Sequence, residues 1–151
     1  MSEHLKKLIS EDDLKVVADA IAKVEGITSG EVRVSIRQER SRGEQGMNVE
    51  GLARKEFAEL GMVNTRDRTG VLLFFLAETR QFYILADAGI DEKVPEGTWQ
   101  LIADIMSEHF SKQNFREGIA SGVLAIGKVL AQHFPKKPDD TNELSNQVRV
   151  T

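Results

Sequence analysis

Gly70 to Asp91 reads GVLLFFLAETRQFYILADAGID, and its reading decides the fold. Val71 to Leu76 is an unbroken apolar run, bounded by Gly70 and by Glu78-Thr79-Arg80. A run so short suits a strand buried on both faces, since a helix would want roughly 10 residues or more. Phe82 to Ala86, rich in aromatic and β-branched residues, predicts a partner strand. The break between them is about four residues, too short for a crossover helix, so the pair is expected to form an antiparallel hairpin. The residues before Gly70 and those after Ala86 must then emerge at the same edge of the sheet.

Outward from the hairpin, Glu31-Val32-Arg33-Val34-Ser35-Ile36-Arg37 alternates polar with apolar and predicts a strand with one wet face, nearer a sheet edge. Asn48 is placed to cap a helix whose inner face is Val49, Leu52, Ala53, Phe57 and Leu60, closed by Gly61. Strand, helix and strand in that order form a βαβ unit, which makes the Glu31 and Val71 strands parallel with a right-handed crossover. Gln38 to Met47, almost all polar, reads as a mobile loop and as a docking segment for a partner.

Ser10 with Asp13 opens a helix carried by Leu14, Val17, Ala18, Ile21 and Val24 and stopped by Gly26. Trp99, Ile102, Ala103, Ile105, Met106 and Phe110 mark another. The last runs from about Phe115 to His133, with Ile119, Val123, Ile126, Val129 and Leu130 facing inward. Its Gly118, Gly122 and Gly127 predict close approach of backbone to sheet or to a neighbouring helix. The fold class that follows is an α/β/α sandwich: a small mixed sheet, made of the βαβ unit and the hairpin strand, flanked by four or more helices. Residues 1–135 make one domain, and 136–151 read as a flexible tail unless Leu144 and Val148 dock.

Composition narrows the function. The 151 residues are 40% hydrophobic and 29% charged, as in a folded globular protein. A net charge of -4, with no basic run longer than two, leaves no footprint for nucleic acid or anionic membrane. The absence of cysteine excludes disulfides, thiolate metal sites and a cysteine nucleophile. A charged start, Met1-Ser2-Glu3-His4-Leu5-Lys6-Lys7, and no apolar run of roughly 20 residues predict a cytoplasmic chain with no membrane insertion. No G-x-S-x-G, P-loop, H-E-x-x-H or G-x-G-x-x-G is present. His4, His109 and His133 sit on a terminus and near helix ends, where a surface role accounts for them.

The hairpin argument brings three segments to one pole: Thr28 to Glu31, Asn64 to Thr69, and Asp87 to Asp91, with Glu96 just beyond. Glu31, Asp67, Asp87, Asp91 and Glu96 are therefore the candidate ligands for a hard cation, calcium or magnesium, which takes oxygen donors. The competing account is equally physical. Loop acids are usually solvated, Asp67 lies between Arg66 and Arg68, and Asp91 or Glu96 is placed to cap the next helix.

Five motifs in order then resemble the TPM-domain family: Thr28-Ser29-Gly30-Glu31-Val32-Arg33-Val34; Ala53 with Phe57 and Leu60-Gly61-Met62; Thr69-Gly70-Val71-Leu72-Leu73-Phe74; Gly89-Ile90-Asp91; and Phe115-Arg116-Glu117-Gly118-Ile119. That family includes thylakoid-lumen proteins tied to photosystem II repair and many bacterial relatives, and this chain looks like the short stand-alone bacterial form. The resemblance implies an α/β sandwich with a small mixed sheet, divalent-cation binding in some members, and an acid phosphatase activity proposed for plant ones. Where the family commonly has G-x-G-hydrophobic-Glu, this chain has Asp87-Ala88-Gly89-Ile90-Asp91, with Glu96 at the later acid. Asp87 replaces a glycine there, which adds a possible ligand or blocks a close backbone approach. The expected function is a binding domain for a divalent cation and a protein partner, or alternatively a metal-assisted acid phosphatase.

Overall fold

The computed structural model describes residues 3–64, 68–138 and 147–151. Helices α1 (Glu3–Leu8) and α2 (Glu11–Glu25) lead into β1 (Glu31–Arg37). Helix α3 (Val49–Glu59) crosses to β2 (Gly70–Leu76), which turns back as β3 (Gln81–Ala86). A single-turn α4 (Ala88–Asp91), α5 (Thr98–Ser111), α6 (Phe115–His133) and a two-residue β4 (Arg149–Val150) complete the chain. The sheet order is β3-β2-β1-β4, with β1 parallel to β2 and to β4, and β2 antiparallel to β3. The α/β/α sandwich, its βαβ unit and its hairpin are those the sequence predicts.

Local chemistry explains the element ends. Ser10 and Asp13 form a reciprocal capping box, the Asp13 amide donating to Ser10 Oγ at 3.0 Å and the Ser10 amide to Asp13 Oδ2 at 2.9 Å. Asn48 Oδ1 accepts from the Gly51 amide at 2.8 Å, and Gly61, at φ 74°, ends α3 in the left-handed region.

Two cores lie either side of the sheet. Val71, Leu73 and Phe75 face α2 and α6, while Leu72, Phe74 and Leu76 face α3. All seven residues of β2 are buried, and each large side chain removed from water contributes about 1.5–3 kcal/mol. The three glycines of α6 do admit close neighbours. A Cβ at Gly118 would stand 2.5 Å from Phe110 of α5, one at Gly122 2.5 Å from Met106 of α5, and one at Gly127 2.4 Å from Val24 of α2. Ile105, one of the apolar residues that mark α5 in the sequence, is 47% exposed, because Ile102 and Met106 already fill the inner face of the helix.

The polar face of β1 is not wet. Glu31 is 5% exposed and Ser35 fully buried. Ser35 Oγ donates to Glu56 Oε2 of α3 at 2.7 Å, and Arg149 of β4 reaches the other oxygen of Glu56 at 3.0 Å. Burial of the Glu56 charge demands such partners, and they come from β1 and from the end of the chain. Because β4 pairs with it, β1 is an interior strand and not an edge. Val148 and Val150 pack against the larger core, so residues 147–151 are docked, and Leu144 lies outside the described residues.

The loop after β1 is also tied down. A turn of 3-10 helix at Arg42–Glu44 buries Glu44, whose carboxylate accepts from Arg37, from Lys55 at 2.8 Å and from Ser41. Polar composition suggested mobility, whereas one buried carboxylate with partners on β1 and α3 holds the segment in place. No described helix is long and apolar enough to cross a membrane.

Candidate functional site

The register of the hairpin builds the pole. Glu31 pairs with Gly70, and the Asp87 amide donates to the Gly70 carbonyl at 2.9 Å, so Glu31, Gly70 and Asp87 form one row across the sheet on its α3 face. Above Gly70 a Cβ would meet Met62 Cε at 3.2 Å. This buried methionine covers Gly70, which stands between the two acids in the row, and the backbones of those acids lie about 10 Å apart across two strand spacings.

Beside that row is a cleft of about 390 Å³, lined by Arg54 and Phe57 of α3, by Val63 and Arg68, by Leu85 and Ala86 of β3, and by Asp87, Ala88 and Asp91. Asp87 is 6% exposed. Its Oδ2 accepts from Arg68 Nε at 2.8 Å, and its Oδ1 from an Arg68 Nη at 2.8 Å and from the Ala88 amide at 2.7 Å. Asp87 therefore caps α4 and holds a bidentate guanidinium, the strongest geometry for such a pair. The hydrogen bond to Asp87, and then its charge, push the Arg68 guanidinium above its ordinary value. Arg68 has φ 57°, rare for a residue with a Cβ, and its carbonyl accepts from the Gly89 amide at 3.1 Å.

Asp91 is exposed at the end of α4, where Oδ1 accepts from Trp99 Nε1 at 3.2 Å. Arg54 is paired to Glu50 at 3.0 Å. Burial first, and then the Glu50 carboxylate, push the nearby Tyr83 hydroxyl up.

Of the acids proposed as ligands, Asp87 and Asp91 thus share one cleft. Glu31 is in the same row but beyond Met62, Glu96 is exposed in the turn before α5, and neither lines the cleft. Asp67 lies outside the described residues. Neither Asp91 nor Glu96 is the residue that caps α5, because Gly97, at φ 87°, takes that position. Sequence reasoning had set Arg68 against its neighbour Asp67 and missed it as the partner of Asp87. The register signal was present, since a hairpin that puts Asp87 opposite Gly70 also brings it close to residue 68.

The donors are all oxygen, which suits a hard cation. Among the described residues no three acidic or histidine side chains converge. Two carboxylates plus water is nonetheless a set that magnesium accepts, provided Arg68, whose side chain is 53% exposed, swings off Asp87.

The pattern of the TPM domain matches residues 4–129 of the chain. Among solved structures, the BA42 protein of the psychrophilic bacterium Bizionia argentinensis is 32% identical, with a TM-score of 0.84 and 93% of each chain covered. The N-terminal domain of a protein from P. gingivalis is 24% identical, with a TM-score of 0.68, over 84% of this chain and 79% of that one. The N-terminal domain of cg2496 from Corynebacterium glutamicum shares the fold at 13% identity, with a TM-score of 0.60. Comparison with curated proteins gives no significant match.

Proposed function

Since the chain belongs to the TPM-domain family, we propose that it is a cytoplasmic binding domain that takes a divalent cation, calcium or magnesium, between Asp87 and Asp91 and presents a surface to a protein partner. The observation that carries this reading is the state of Asp87. A carboxylate 6% exposed must be neutralised, and the cation that does so is an arginine whose own side chain is 53% exposed. Arg68 holds the place on Asp87 that a metal would take. Asp91, which lines the same cleft, would supply a second carboxylate.

Competition between guanidinium and metal gives the test. Arg68→Gln is expected to tighten calcium or magnesium binding about tenfold, read by calorimetry, since the metal no longer has to displace a bidentate partner. Amide resonances of Asp87 and Asp91 should shift in both proteins. Unchanged resonances in both at millimolar metal would remove the cation reading.

A metal-assisted phosphatase is the second reading, favoured by the presence of Arg54 and Arg68 in the same cleft. Guanidinium groups grip phosphoryl oxygens in pairs. A bound cation would polarise the phosphorus toward water. Attack by the water would form a new P–O bond as the ester P–O bond breaks, and the proton released by the water would pass to the leaving alkoxide. Phosphate release from a generic monoester should then fall at least tenfold in the Asp87→Asn, Asp91→Asn double variant. Equal rates would mean a contaminant and would end this reading.

A further inference from the structure

A second feature lies on the other side of β3. In the antiparallel pair the Asp87 amide bonds inward to Gly70, so residues 81, 83, 85 and 87 spend their backbone groups on β2. Phe82 and Ile84 therefore aim their N–H and C=O groups outward. Strand β3 is an edge of the sheet, and among the described residues no backbone bond covers those four groups.

Such an edge normally is short, charged or covered. This one has α5 alongside and running the opposite way, with a groove left between them. At one end a cavity of about 300 Å³ is lined by Phe82, Tyr83, Ile84, Trp99, Gln100 and Ala103. At the other, about 340 Å³ lies between Arg80 and Phe82 on the β3 side and Ser107, Phe110 and Ser111 on the α5 side. Phe82 lines both, so the two follow one another along β3 and together make the trough that a segment beside this strand would meet. Its α5 wall, at Trp99, Ala103, Ser107 and Phe110, follows helical spacing and narrows to small residues in the middle. Six residues of β3 span about 20 Å, and the 14-residue α5 spans a similar length.

Both ends of the α5 wall are held by contacts of their own. The Asp91 carboxylate holds the Trp99 indole at 3.2 Å. The Phe110 ring is packed between those of Phe75 and Phe82, with centroids 5.4 and 5.3 Å away. The rim is polarised as well. Arg80 stands at the start of β3, while Asp91 and Asp104 flank the Trp99 end, where Asp104 accepts from Gln100 at 2.8 Å.

We propose that the groove between β3 and α5 receives an extended peptide segment of a partner protein, added antiparallel to β3, with apolar side chains at alternate positions, a basic N-terminal end and an acidic C-terminal end. Main-chain hydrogen bonds to Phe82 and Ile84 give the affinity, and the trough beside Trp99 and Ala103 selects the alternate apolar side chains. Antiparallel addition sets the basic end beside Asp91 and Asp104 and the acidic end beside Arg80. A second copy of the chain fits less well, because symmetric pairing of two β3 edges puts both α5 helices on one side of the shared sheet. The groove shares Asp91 with the cation cleft through its bond to Trp99, so the peptide is tested without divalent cation, and the Phe82 and Ile84 amides, which do not line the cleft, are the readouts that belong to the groove alone.

The probe is a capped peptide, KVTVTE, added to the full chain. The expected result is a shift of the Phe82 and Ile84 amides and of the Trp99 indole, with exchange of those two amides slowed at least about tenfold. Ala103→Trp, which fills the trough from a half-buried position, should abolish the response while leaving the melting temperature unchanged. A peptide with both valines replaced by proline should produce none. No shift at millimolar peptide, or an equal response in Ala103→Trp, would overturn the proposal. Slow exchange of Phe82 and Ile84 before any peptide is added, in a chain that sediments as a dimer, would assign the edge to a second copy and overturn it too.

Discussion

Glu44→Ala is expected to lower the free energy of unfolding by about 3 kcal/mol, although the residue sits in a polar loop. Glu44 is 1% exposed. Its carboxylate accepts from Arg37 of β1, from Lys55 of α3 at 2.8 Å, and from the Ser41 amide and hydroxyl at 2.8 and 2.7 Å. Burial by itself raises the acid, but the bonds from Lys55, Ser41 and Arg37 outweigh it and hold Glu44 well below the usual carboxylate range. Truncation leaves two cations without their common partner and unpins the loop from two elements. Since Lys55 is 45% exposed and can return to water, the loss falls at the lower end for a broken buried pair.

The same carboxylate makes stability depend on pH, with a definite sign. Its folded pKa is depressed below the ordinary 4.5, so its contribution is complete above that value and fades as the pH falls toward the folded one. Urea titrations of the native chain and of Glu44→Ala should therefore differ most near neutral pH. The gap should narrow steadily below about pH 4.5. A gap that stays constant down to about pH 3 would show that the carboxylate charge is not what stabilises the loop.

Gly127→Ala should destabilise by about 1–2 kcal/mol, even though alanine is the better helix former by about 1 kcal/mol. The new methyl would lie 2.4 Å from Val24 Cγ2 and 3.2 Å from its Cβ. Val24 is 1% exposed and β-branched, so it cannot turn aside without leaving its rotamer. Gly122→Ala meets a different neighbour, the unbranched Met106, whose Sδ stands 2.5 Å from the new methyl. Methionine has the torsional freedom to give way, and that variant should be within about 0.5 kcal/mol of the native chain. Thermal melts of both variants read the contrast. In a Val24→Ala background the cost of Gly127→Ala should largely vanish, a coupling that a double-mutant cycle isolates. Equal destabilisation by both glycine variants would mean that helix spacing, and not the stiffness of the facing side chain, sets the cost.

The glycines of α6 pointed to close packing, because an element interior tolerates glycine only with a reason, but which neighbour is rigid depends on α2 and α5. The alternating face of β1 looked solvated, because sequence spacing does not show that Glu56 and Arg149 arrive over it. Ile105 fitted the apolar period of α5, yet that helix covers the sheet with a narrower stripe than its period allows. At the pole, the hairpin brings Asp87 and Asp91 to one cleft, while the guanidinium of Arg68 became visible as the partner of Asp87 only in three dimensions.

By itself the sequence determined the βαβ unit, the hairpin and hence the α/β/α layering. A six-residue apolar run, Val71 to Leu76, a short return and the right-handed rule for crossovers are local constraints of period, chain length and chirality. Tertiary structure alone decided the pairing of buried charges: Glu44 with Arg37 and Lys55, Glu56 with Arg149, and Asp87 with Arg68. Each of those carboxylates could have met any of several nearby cations along the chain. The choice falls to whichever cation the packed elements bring within hydrogen-bond reach of a desolvated oxygen, where leaving it unpaired would cost several kcal/mol.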